Sequence, residues 1–175
     1  MSTIMSHAVV PLAAAVAMGP GRISPKVAIA GAALAMLPDG DVLGFRFGID
    51  YAADWGHRGA THSLVFAGLV TAALALVWRE ARSTLAALFL YLSAASHGLF
   101  DMLTDGGLGV ALYWPFETTR HFAVFTPIRV SPIGANFFSA RGWETMLSEL
   151  RWVWLPALVI AQAGWFARRI RQSPG

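Results

Sequence analysis

The 175-residue chain is 56% hydrophobic and 13% charged, about half the charged fraction of an average soluble domain. So little charge cannot cover a water-soluble globule, and the composition indicates a single domain that lies in a bilayer. The modest net charge of +3, with no basic run between aromatics, argues against a nucleic-acid partner, and the absence of cysteine excludes disulfides and thiolate metal sites.

Five apolar stretches follow one another and predict an all-α, integral membrane bundle of about five helices. They cover about residues 5–18, 27–37, 62–78, 84–100 and 152–167. The third and fourth are long enough to span the hydrocarbon core, whereas Leu37-Pro38 stops the second early. No Lys or Arg precedes the first, so we expect a helix there and not a cleaved signal peptide. Pro156 predicts a kink in the fifth.

Charge marks the two sides of the predicted bundle. Seven of the thirteen Lys and Arg residues lie in connectors near 22–26, 79–82 and 168–171, and cation-rich connectors stay in the cytoplasm. Nine of the ten acidic residues lie in the other connectors, 38–61 and 101–151. The pattern predicts a multi-pass protein with its N-terminus outside and its C-terminus in the cytoplasm.

The outer segment 102–150 is rich in aromatics and carries prolines at 115, 127 and 132. With few charges, it predicts a structured extracytoplasmic cap on the membrane interface. A short strand pair is expected near 121–130.

Histidines and aspartates recur at the outer ends of the predicted helices. Ionisable residues at membrane depth are costly, so they usually face the bundle interior and serve function. The candidate metal ligands are His7, Asp39, Asp41, His57, His62, His97 and Asp101. Without cysteine, this set favours zinc, or else manganese or iron, and leaves open one ion with a spare carboxylate or two ions.

Each part of this set also has a simpler explanation. His97 and Asp101 share a helix face at i, i+4 spacing, which suits two ligands or a buried hydrogen bond. The Asp39-Gly-Asp41 sequence is typical of a turn. A lone interfacial histidine would explain His7.

Three residues are candidates for catalysis. Asp41 is a spare carboxylate that could serve as general base. Arg58 is expected to clamp an anionic group beside the start of the third helix, where Thr61 is the expected N-cap, although snorkelling to the interface would also explain it. Asp105, one turn beyond Asp101, would be a spare acid or base if the helix reaches it. His121 is expected to lie outside the cluster.

The motifs SH, LPDGD, HRGATHS, SHGLFDMLTDGG and YWPF, in this order over about residues 5–130, resemble the YdjM-type family. The resemblance implies a LexA-regulated, metal-dependent hydrolase of the bacterial inner membrane, and the seven candidate ligands match the family's polar motif positions.

The leading hypothesis is a membrane-bound hydrolase in which a metal-activated water attacks a phosphoester, or similar ester, of a lipid or lipid-linked substrate. Membrane lipids are its expected partners, because the site lies at headgroup depth. A metal or proton transporter would need polar residues across the inner halves of helices three and four, which carry only Ser and Thr. A non-enzymatic regulatory membrane protein is the third alternative.

Overall fold

The structure is a computed structural model that describes residues 2–172, and this range is helical, without an extended β-strand. Its five long helices are α1 (Ile4–Met18), α2 (Pro25–Met36), α3 (Leu64–Val77), α4 (Thr84–Met102) and α5 (Ala140–Gln172). The predicted all-α membrane bundle of about five helices is therefore confirmed.

Serine residues set the beginnings of three helices. The hydroxyls of Ser24, Ser63 and Ser83 each accept a hydrogen bond from the first turn of α2, α3 and α4, respectively. The prediction that Thr61 caps the third helix is wrong, because Thr61 lies in a separate 3-10 turn, Ala60–His62. Its hydroxyl instead donates to Asp41.

Helix α1 lies between α2 and α5, and α4 packs against α2 and α3. A hydrophobic core joins α1, α2 and α4 at the end of the bundle that carries Arg22 and Arg82. The short α1–α2 and α3–α4 connectors therefore lie together at this end, and the polar ends of α1, α2 and α4 meet at the other.

Three helical segments are long and apolar enough to cross a membrane: Pro25–Phe47, Thr84–Met102 and Ala140–Gln172. The prediction that the third stretch spans outright is not met. Helix α3 has 14 residues, about 21 Å of helix against a hydrocarbon core of about 30 Å. It ends at Val77 because a 3-10 turn, Arg79–Arg82, follows.

The second stretch is longer than its sequence predicts. Helix α2 ends at Met36, but 3-10 turns continue the segment over Leu37–Phe47. Pro38 begins this new helix at a position where its missing N–H needs no partner, so it redirects the chain and does not stop it.

Residues 103–139 connect α4 to α5 without a strand pair. Two isolated bridges, Thr104 with Ile128 and Val110 with His121, replace the predicted pairing. The prolines at 127 and 132 remove donors that a longer ladder would need. The position of this segment at the membrane interface stays a prediction.

The fifth helix begins at Ala140, twelve residues before its predicted start at 152. Residues 140–149 mix polar and apolar side chains, so they form no apolar run that would predict a membrane helix. A π-helical turn, Leu150–Trp154, interrupts the regular helix just before Pro156. Because proline has no N–H, the carbonyl four residues before it loses its helical partner, and a π-helical turn accommodates this break in the pattern.

Candidate metal centre

The ends of α1, α2 and α4 and the turns before α3 bring all seven predicted ligands into one contact network. The network comprises His7, Asp39, Asp41, His57, His62, His97 and Asp101. Their side chains are almost completely buried. Residues more than ninety positions apart thus share one polar pocket in an otherwise apolar bundle.

Four of these residues could hold a metal ion together: Asp39, His62, His97 and Asp101. The His62 and His97 Nε2 atoms are 3.0 Å apart, and Asp39 Oδ1 is 3.4 Å from His97 Nε2. Asp101 Oδ2 is 3.7 Å from His62 Nε2. Two ligands of one tetrahedral zinc ion lie roughly 3.3 Å apart, given bonds of about 2.0–2.1 Å. The group therefore has the dimensions of a single-ion site.

The two imidazoles present their Nε2 atoms to this group. His97 Nδ1 donates to the carbonyl of Ala35 at 2.6 Å, which leaves the lone pair on Nε2 of the neutral ring. His62 Nδ1 lies 3.2 Å from Asp41 Oδ2, so its Nε2 also faces the group. Burial, and next the proximity of His97, lower the pKa of His62 to about 4, so this ring is neutral at pH 7 and has a lone pair for a metal.

Several buried polar atoms of the group have no hydrogen-bond partner. Within residues 2–172 they are both carboxylate oxygens of Asp39 and Oδ2 of Asp101, although Asp101 Oδ2 lies 3.1 Å from Arg58 Nε. A buried carboxylate oxygen without a hydrogen bond costs free energy that a cation placed between the carboxylates would offset. The donor set therefore fits a divalent ion that accepts nitrogen and oxygen ligands.

A second group, Asp41, His57 and His62, shares one histidine with the first. Asp41 Oδ1 is 2.7 Å from His57 Nδ1, and Asp41 Oδ2 accepts the Thr61 hydroxyl at 2.8 Å. Asp41 thus orients both imidazoles, which is the usual task of a carboxylate behind a metal-binding histidine. His57 Nε2 is buried and has no hydrogen-bond partner within residues 2–172.

His7 lies at the edge of the group of four. Its ring stacks on His97 with centroids 3.7 Å apart, and its Nε2 contacts the Ser2 hydroxyl at 2.8 Å. Asp101 Oδ1 is 3.4 Å away from the same nitrogen. His7 therefore lies beside the group, and its Nε2 already has a protein partner in the Ser2 hydroxyl.

The Arg58 guanidinium lies inside the protein, and its role as a clamp for an anionic group stays a prediction. The residue is fully buried and adopts a left-handed backbone conformation, with φ of 65°. Its Nη atoms donate to Gly106 O and Thr104 Oγ1, and its Nε lies 3.1 Å from Asp101 Oδ2. The guanidinium therefore supports Asp101 from inside the protein.

Asp105 and His121 both lie outside the network. Helix α4 ends at Met102, so the condition under which Asp105 would share the face of Asp101 is not met. Its carboxylate pairs with Arg129 at 2.9 Å and accepts the Val130 N–H. His121, predicted to lie apart, contacts Glu117.

Glu149 is a buried acid that the sequence reasoning missed. Its carboxylate accepts hydrogen bonds from the Thr3 N–H, the Thr3 hydroxyl and the Ser6 hydroxyl, at 2.5–2.6 Å. The adjacent Ser2 N–H donates to Asp101 Oδ1 at 2.9 Å. An acidic residue next to an apolar helix is itself a signal of a buried polar site. Assigning residue 149 to the cap concealed that signal.

The fold and the network define a helical membrane protein with a buried His/Asp group that could hold a metal ion. Comparison with known proteins agrees: the chain belongs to the YdjM inner membrane protein family, whose model matches residues 1–171. It is 42% identical to inner membrane protein YbcI of Escherichia coli (strain K12), over 97% of this chain and 100% of the relative. No solved structure matches the chain.

Proposed function

We propose that the protein is a membrane-bound, metal-dependent hydrolase that cleaves a phosphoester or similar ester of a lipid or lipid-linked substrate. The observation that carries this proposal is the pair of Nε2 atoms of His62 and His97, 3.0 Å apart. The Nδ1 atom of His97 contacts the Ala35 carbonyl and that of His62 contacts Asp41, so both Nε2 atoms converge on one point, where a cation would bind the two rings together. Asp39 and Asp101 supply the negative charge that such a cation needs.

Asp39, His62, His97 and Asp101 would hold the ion. A bound divalent ion would supply Lewis acidity and lower the pKa of water towards neutrality. Asp41 fixes the ring orientations of His57 and His62 through its two oxygens. Arg58 holds Asp101 and balances part of the buried negative charge. In hydrolysis a water oxygen bonds to the phosphorus, the ester P–O bond breaks, and the alcohol leaves with a proton.

Metal content and ester hydrolysis, measured on the same samples, test this proposal. Protein purified without added metal should carry a divalent ion by elemental analysis and hydrolyse some member of a phosphoester and phospholipid panel. His97→Ala should lose both the ion and the activity. His121→Ala is the matched control, because His121 is a histidine outside the network. Hydrolysis that persists in metal-free His97→Ala protein would contradict the proposal.

A further inference from the structure

Two clefts flank the candidate metal centre and share the segment Ser131–Ile133 as a common wall. The first has a volume of about 520 Å³, and the second about 370 Å³. His57 borders the first, and Asp39 borders the second. His57 and Asp39 belong to the two groups that His62 joins, so both clefts lead to one centre.

The first cleft is polar and suited to an anion. Arg141 is its cation, no acidic residue belongs to its described lining, and Tyr51 and Asn136 add polar groups. Helix α5 begins at its edge. The N-cap residue Ser139 makes no capping bond, because its hydroxyl donates to the Asn136 carbonyl instead. The first N–H groups of α5 therefore lack a side-chain acceptor, and such groups attract phosphate.

A buried nitrogen in the same cleft independently points to a ligand. The His57 side chain is 1% exposed, and its Nε2 has no hydrogen-bond partner in the described structure. Buried polar atoms are nearly always paired, so an orphaned one marks a place where a missing group binds. Because His57 Nδ1 donates to Asp41, the free Nε2 is an acceptor, and the group that it lacks is a donor, such as a hydroxyl on the phosphate head of a ligand in the cleft, or the cation of the centre.

The second cleft is largely apolar. Ile4, Val42, Ile133, Phe137 and Phe138 contribute to its wall. Asp39 lies in the same lining, and neither of its carboxylate oxygens has a hydrogen-bond partner in the part of the chain that the structure describes. A hydrocarbon chain would fill this cleft next to the candidate ion site.

We propose that the substrate is an amphiphile with an anionic phosphate head, which Arg141 and the first turn of α5 bind in the polar cleft while its hydrocarbon tail occupies the apolar cleft. This inference rests on the proposed function, because it assigns both clefts to the substrate of the same centre. The bond between head and tail then lies beside the ion site. Arg141 takes the role that the sequence assigned to Arg58.

Binding to chelator-treated protein in detergent tests the inference without any hydrolysis. The probes are dioctanoyl phosphatidic acid, dioctanoylglycerol and inorganic phosphate, titrated by calorimetry. We expect phosphatidic acid to bind at least about tenfold more tightly than either of the others, because only it fills both clefts. Arg141→Ala should weaken that binding about tenfold or more, as expected for a lost charge-assisted hydrogen bond, whereas Arg141→Lys should retain part of it. Phe137→Ser should weaken phosphatidic acid binding without affecting inorganic phosphate.

Arg151→Ala is the matched control, since Arg151 is an exposed arginine of the same helix outside both clefts. Equal affinity for phosphatidic acid and dioctanoylglycerol, or unchanged binding by Arg141→Ala, would overturn the inference. Binding that depends on Arg141 supports the inference even if metal-loaded protein hydrolyses no ester, a result that would contradict only the proposed function. Tight binding of inorganic phosphate alone would show a free-phosphate site and also overturn it.

Discussion

At the scale of single residues, Asp101 is held by residues from two distant parts of the chain, the N-terminal segment and the turns before α3. Its Oδ1 accepts the Ser2 N–H and lies near His7, and its Oδ2 lies 3.1 Å from Arg58 Nε. The Arg58 guanidinium also donates hydrogen bonds to Thr104 and Gly106, which lie in the segment that follows α4. The carboxylate is thus fixed before any ion binds.

We expect Arg58→Ala to destabilise the protein by about 3–5 kcal/mol, because it leaves Asp101 and the acceptors around it unpaired in the interior. The variant should also lose bound metal, since Asp101 loses its support. Thermal unfolding in detergent and elemental analysis measure the two effects. Arg22→Ala, an exposed arginine at the other end of the bundle, is the control. Full metal content in a folded Arg58→Ala protein would contradict the supporting role.

At the scale of elements, the packing of α4 against the turn before α3 sets the separation of the two central histidines. A Cβ atom on Gly98 would lie 2.3 Å from the His62 carbonyl oxygen, so only glycine permits this approach. Gly98→Ala should displace the turn that carries His62 and reduce bound metal severalfold. Gly68→Ala, whose Cβ would meet only Tyr91 at 3.9 Å, is the matched control. Equal metal content in the two variants, measured by elemental analysis, would show that this contact is unimportant.

The first turn of α1 depends similarly on α5. The Glu149 carboxylate accepts three hydrogen bonds from Thr3 and Ser6, and the amide that Glu149→Gln introduces could accept at only one of its two terminal atoms. We expect this substitution to lower the free energy of unfolding by about 1–3 kcal/mol. Glu144→Gln is the control, because Glu144 is exposed on the same helix. Identical melting temperatures for the two variants would contradict this structural role.

The sequence was sufficient for the number of long helices and for the membership of the polar network, because apolar runs and the positions of His and Asp are local patterns. It was insufficient where side-chain direction depends on distant backbone. The inward course of Arg58 follows from its positive φ and from acceptors more than forty residues away. The early start of α5 at Ala140 depends on packing of a mixed polar segment, which no apolar run reveals.

At the scale of the whole molecule, the chain has a polar end with the candidate centre and an end rich in arginine. We propose that the arginine-rich end is cytoplasmic, from the cationic connectors near 22–26, 79–82 and 168–171. The chain has no cysteine, so single cysteines report topology cleanly. In cells with a permeabilised outer membrane, an impermeant maleimide should label Phe116→Cys, and it should label Arg79→Cys only after lysis. The reverse pattern would place the centre at the cytoplasmic face.

The most direct test of the central claim, a divalent ion held by Asp39, His62, His97 and Asp101, is X-ray absorption spectroscopy of the metal-loaded protein. We expect only nitrogen and oxygen ligands at about 2.0–2.2 Å, with the outer-shell scattering of two imidazoles. His97→Ala protein, loaded in parallel, should lose one imidazole contribution or the ion itself, and His121→Ala should match the wild type. A spectrum of a hydrated ion without imidazole, or one that is unchanged in His97→Ala, would contradict it.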